Sequence, residues 1–79
     1  MQKRSLKIYG HRTSISLEEP FWMALNDIAK ARQQSVASLV QMIDKKRVGG
    51  LSSAIRVFIL AELRHQLAAS TTTKTNQIF

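Results

Sequence analysis

The chain has 79 residues, no cysteine, and twelve Lys plus Arg against five Asp plus Glu, a formal charge of +7. This length holds one domain, and so short a chain buries only about 60% of its unfolded surface, so a lone copy is marginal without reinforcement. Disulfides are excluded, and His11 and His65 are the only strong nitrogen ligands for a metal, which leaves a partner subunit as the expected reinforcement.

The longest unbroken apolar run, Val57 to Ala61, is far short of the ~20 residues of a membrane span. No apolar stretch of signal-peptide length follows Lys3 and Arg4. These features predict a soluble, cytoplasmic protein whose charge favours an anionic partner, nucleic acid before any membrane surface.

Residues 1–17 carry Lys3, Arg4, Lys7 and Arg12 and no acid. Residues 1–10 read as a basic N-terminal arm. Leu6, Ile8 and Tyr9 suggest an extended piece within it, and Gly10 bends or bulges the chain, which leaves the facing of residues 5–9 open. Thr13-Ser14-Ile15-Ser16-Leu17 alternates polar and apolar, the period of a half-buried strand. Arg12, Ser14 and Ser16 then share one face, and Thr13, Ile15 and Leu17 the other.

Glu18-Glu19-Pro20 opens a helix, since proline suits the first helical position and acids suit the positive end of the helix dipole. Trp22, Leu25, Ile28 and Ala29 form its apolar stripe. Gln33-Gln34 breaks that pattern, and Ser35 is placed to N-cap a second helix. The second stripe is Val36, Leu39, Val40 and Ile43, ending in Lys45-Lys46-Arg47 at the negative end of the dipole.

Val48-Gly49-Gly50 is a turn, and Ser52 or Ser53 can cap a third helix running to about Ala69. Ala54, Ile55, Val57, Phe58, Ile59, Leu60 and Ala61 surround nearly its whole circumference, interrupted by Arg56. A helix apolar all round is buried on several sides, and a second copy is expected to cover what two short helices cannot. Residues 70–79 lack periodicity and read as a flexible tail ending in the apolar pair Ile78-Phe79. The expected fold is mostly α with one short strand, its domain spanning residues 11–69.

Arg12-Thr13-Ser14-Ile15-Ser16-Leu17 running into Glu19-Pro20, the Trp22/Leu25/Ile28 helix and Ser35-Val36 resembles the ribbon-helix-helix family of bacterial repressors. The resemblance covers roughly residues 11–47, and Leu51 to Arg64 is similar to a subgroup with an added C-terminal helix. It implies an intertwined homodimer in which each chain gives one strand to a two-stranded antiparallel ribbon lying in the major groove of double-stranded DNA. That pairing would also satisfy the backbone of a strand with no other pairing partner in the chain.

By the same resemblance Arg12, Ser14 and Ser16 face the base edges, with Arg12 able to pair bidentately with a guanine. The free amides at Ser35 and Val36, at the positive end of the second helix, imply a phosphate site. Lys3, Arg4 and Lys7 would clamp the backbone. The implied dimer core is Ile15, Leu17, Trp22, Leu25, Ile28, Leu39, Val40, Ile43 and Phe58. One departure stands out: the family commonly places Gly or Asn in the turn before the capping serine, where this chain has Gln34.

The function implied is sequence-specific DNA binding by a nucleoid-associated transcriptional repressor. The alternative is an antitoxin that binds its own operator and wraps a toxin protein. Residues 70–79 are short for such wrapping, which favours the repressor. No catalytic or metal residues are expected and no cofactor is implied: the two histidines lie in separate segments, and Gly49-Gly50 lacks the lysine and spacing of a phosphate loop.

Overall fold

In the computed structural model, residues 1–74 are described. Two strands, β1 (Gln2–Ile8) and β2 (His11–Leu17), precede three helices, α1 (Glu19–Ala31), α2 (Val36–Lys46) and α3 (Leu51–Lys74). The strands form one antiparallel hairpin with Lys7 opposite Arg12, Ser5 opposite Ser14 and Lys3 opposite Ser16. Tyr9 and Gly10 make the turn with φ of 52° and 80°. Two consecutive left-handed residues give the turn whose twist matches that of paired strands.

This corrects one expectation. The strand at residues 11–17 does have a pairing partner in its own chain, supplied by the segment read as a basic arm. Arg4, a charge on the inward side of β1, breaks the alternation that would have marked the strand.

The inner face of the hairpin sets Leu6, Ile8, Ile15 and Leu17 against the helices, which add Trp22, Leu25, Ile28, Ala29, Leu39, Val40, Ile43, Ile55 and Ile59 to the core. Every residue named for the dimer core is therefore buried within one chain, except Phe58, which is half-buried at the margin. No buried side-chain polar atom lacks a partner among the described residues.

Helix α1 ends in a left-handed residue, Gln33, with φ 57°. The Gln34 amide donates to the Ala29 carbonyl and the Gln33 amide to the Lys30 carbonyl, each at 3.0 Å, the paired bonds that close a helix C-terminus. The departure from the family pattern thus falls on Gln33 rather than Gln34, and the turn keeps its geometry at the cost of a side chain in a glycine-like conformation.

Helix α3 begins at Leu51, ahead of the expected capping serines, with the Ala54 amide bonded to the Gly50 carbonyl at 3.0 Å. Ser52 instead donates its hydroxyl to the Ser16 carbonyl at 3.1 Å, tying α3 to the end of β2. Ile55 and Ile59 root α3 in the core, and the helix continues past Ala69 to Lys74, so the expected tail is helical over its first part. The expectation for residues 75–79 lies outside the described residues.

Candidate nucleic-acid interface

Alternation along the paired strands sorts their side chains onto two faces. The outer face carries Lys3, Ser5 and Lys7 from β1 and Arg12, Ser14 and Ser16 from β2, all exposed save Ser16, which is half-buried. It holds three cations, three hydroxyls and no acid. Closure at a two-residue turn makes Ile8 and His11 a hydrogen-bonded pair, so the backbone groups of Arg12, Ser14 and Ser16 aim away from β1. The Ser52 bond to the Ser16 carbonyl agrees with that parity.

Elsewhere four arginines are paired with acids. Arg56 pairs with Glu18 at 3.0 Å and Arg32 with Glu62 at 3.0 Å, while Arg47 pairs with Asp44 and Arg4 with Glu19 at 3.7 Å. Four of the five acids are thus occupied by arginines on or against the helices. Lys3, Lys7 and Arg12 make no ion pair among the described residues. A hydrogen bond from its own backbone, then the Arg56 guanidinium, hold the Glu18 carboxyl below the ordinary carboxylate range.

Arg4, expected to bind phosphate with Lys3 and Lys7, faces the other way. Its guanidinium stacks 4.9 Å from the Trp22 ring centroid and donates to Gln2 Oε1 at 3.3 Å, beside its ion pair with Glu19. Trp22 Nε1 in turn donates to the Gln2 carbonyl at 2.9 Å. Arg4 therefore joins β1 to α1 and is absent from the outer face.

The turn of the hairpin is pinned to α2. The Tyr9 amide donates to Gln41 Oε1 at 3.1 Å and the Tyr9 hydroxyl to the Gln41 carbonyl at 3.2 Å. At the start of α2, Ser35 accepts the Ser38 amide at 3.0 Å, which caps the helix as expected. Among the described residues the Val36 and Ala37 amides have no partner, as first-turn amides usually do not.

Sequence reasoning missed Ser5 and Gln41 and gave Ser52 a capping role in place of its bond to β2. For Ser5 the signal was present: Lys3, Ser5 and Lys7 alternate with Leu6 and Ile8, directly ahead of a turn glycine. For Gln41 and Ser52 there was none, because their contacts join elements far apart in the chain. Among the described residues no group of three or more His, Asp or Glu could hold a metal ion, and no helix is long and apolar enough to cross a membrane.

A two-stranded antiparallel sheet followed by three helices, with a capped turn between the first two, is consistent with the ribbon-helix-helix class. The ribbon-helix-helix domain family matches residues 1–63, and the chain belongs to it. No curated protein and no solved structure matches the chain. Members of this family are in general DNA-binding regulators rather than enzymes.

Proposed function

We propose that this protein is a sequence-specific, double-stranded DNA-binding regulator: a transcriptional repressor that acts as a homodimer in the cytoplasm, on the nucleoid. The outer face of the β1–β2 hairpin enters the major groove, which is wide enough for a two-stranded ribbon. The observation that carries this reading is the make-up of one sheet face, which gathers three cations and three hydroxyls and no acid. That face of the hairpin presents Lys3, Lys7 and Arg12 with no ion pair among the described residues, beside the hydroxyls of Ser5, Ser14 and Ser16.

Arg12 has the fork geometry to pair with guanine O6 and N7, and the Ser14 and Ser16 hydroxyls can donate to or accept from neighbouring bases. Lys3, near the open end of the hairpin, and the free amides of Ser35 and Val36 at α2 hold phosphates and fix the depth of the ribbon. A second copy is supported by the family and by α3. Val57, Leu60, Leu63 and Leu67 lie 66, 56, 44 and 67% exposed along one stripe of that helix, apolar surface that one chain leaves in water. The rooting of α3 by Ile55 and Ile59 favours a stand-alone repressor over an antitoxin whose C-terminal segment wraps a toxin.

Selection from a random duplex library tests the reading. The parent should recover a two-fold repeat. Arg12→Ala should bind the recovered site about 5- to 150-fold more weakly, with little change on random duplex. If the dimer neutralises about six to ten phosphates, the log–log dependence of affinity on salt should have a slope of about −5 to −9. Equal losses on recovered and random DNA would reduce Arg12 to a charge without a reading role.

A further inference from the structure

We propose that the face formed by α1 and the second half of α3 is a self-association surface, covered by the same face of another copy of this chain and separate from the ribbon that two subunits share. The contact stands on its own residues; the expected size of the assembly also rests on the homodimer proposed above.

The face is apolar at its centre. Between α1 and α3 runs a groove of about 470 Å³, lined by Met23, Ala24, Ile28, Ala31 and Leu63, with Asp27 on its wall. Met23 is 59% exposed, and the exposed Leu60, Leu63 and Leu67 continue the surface along α3. Together they make a patch of a few hundred Å², the size at which exposed apolar surface marks an interaction site.

Charge says what covers it. Asp27 is the acid left over when the other four have taken arginines, and it makes no ion pair among the described residues. Arg64 makes none among them either. The two border the patch on opposite sides. At about 3.6 residues per turn, Leu60 and Leu67 lie on α3 between Leu63, which lines the groove, and Arg64, which flanks the far side. The patch therefore has one negative rim and one positive rim, with leucines between them. A two-fold axis near Leu63 sets each Arg64 against the Asp27 of the other copy and packs leucine on leucine. A contact of a surface with itself needs such self-complementarity. A uniformly acidic or basic partner would suit one rim and oppose the other.

The face is also remote from the ribbon. Helix α3 is tied to β2 through Ser52. At roughly 1.5 Å per residue, Leu60 and Leu67 lie about 12 and 22 Å further along the helix. A chain with two separate two-fold contacts joins dimers into larger assemblies.

Sedimentation velocity on the full chain tests this. The parent should pass from dimers to assemblies of four copies as its concentration rises. Asp27→Arg and Arg64→Asp, both at exposed positions, should each weaken that step at least about tenfold, because like charges then meet twice in every contact. Mixing the two variants should restore it, since one brings two arginines and the other two aspartates to a shared contact. Restoration on mixing cannot arise from a change within one chain. If the parent is instead a dimer and both single variants are monomers, the face pairs copies as proposed and the ribbon homodimer above fails. Single variants that match the parent in size, whatever that size, or a mixture no larger than its components, would overturn the proposal.

Discussion

The two faces of one hairpin differ more than any two elements of this protein. Beneath, Leu6, Ile8, Ile15 and Leu17 are packed and Arg4 is held by Trp22, Glu19 and Gln2. Above, Lys3, Ser5, Lys7, Arg12, Ser14 and Ser16 present side chains that make no ion pair or hydrogen bond among the described residues. Residues adjacent in sequence therefore do opposite work: Arg4 secures the fold, while Lys3 on one side of it and Ser5 on the other face outward. The contrast teaches that local charge density does not locate a binding surface. Strand parity does, because it decides which cations the fold consumes and which it leaves free.

Substitutions at Leu17 should break that comparison most severely if it is misplaced. Leu17 is fully buried, and Leu17→Ala should cost about 2–5 kcal/mol in denaturant unfolding, a large share of the stability of so small a domain. A variant as stable as the parent would put Leu17 on the wrong face.

The neighbouring pair Lys3 and Arg4 sharpens the point. Arg4→Ala should lose about 0.5–1 kcal/mol of stability, the range for a partly exposed cation over an aromatic ring, and leave DNA affinity nearly unchanged. Lys3→Ala should leave stability unchanged and reduce the magnitude of the salt slope by about 1. Reversed outcomes would exchange the faces.

A smaller effect lies at Gln33, remote from the hairpin. Relieving a left-handed side chain gains about 1–2 kcal/mol, and glycine returns about half of that in chain entropy. Gln33→Gly should therefore raise stability by about 0.5–1 kcal/mol without touching DNA binding.

The smallest effect is the acid response at Glu18. Its carboxyl has a depressed pKa in the folded chain, so its contribution is present above the ordinary carboxylate range and is lost as pH falls through the lowered folded value. Glu18→Gln should flatten that part of the pH dependence of thermal unfolding. An unchanged profile would remove the Arg56 contact from the account of how α3 is held.

Much of this was legible in the chain. The alternation Thr13 to Leu17 gave β2 its two faces, Pro20 and Ser35 marked helix starts, and the stripes through Trp22 and Leu39 marked buried sides. What escaped had physical causes. β1 was obscured because Arg4 occupies an inward position and is tolerated there by an aromatic ring and a carboxylate drawn from α1. The left-handed residue was assigned one place late because glutamine carries no glycine-like signal. Ser52 resembled a cap, and only the approach of β2 shows that its hydroxyl bonds to a strand carbonyl. Side-chain parity follows from local sequence, whereas partners brought from other elements do not.

The most direct test of the central claim removes one atom from the DNA. In the recovered site, the guanine whose identity depends on Arg12 is replaced by 7-deazaguanine, which lacks the N7 acceptor in the major groove. The account predicts that the parent protein binds the altered duplex several-fold more weakly, while Arg12→Ala binds altered and unaltered duplex alike. Equal weakening of both proteins, or of neither, would contradict a hairpin that reads the groove through its outer face.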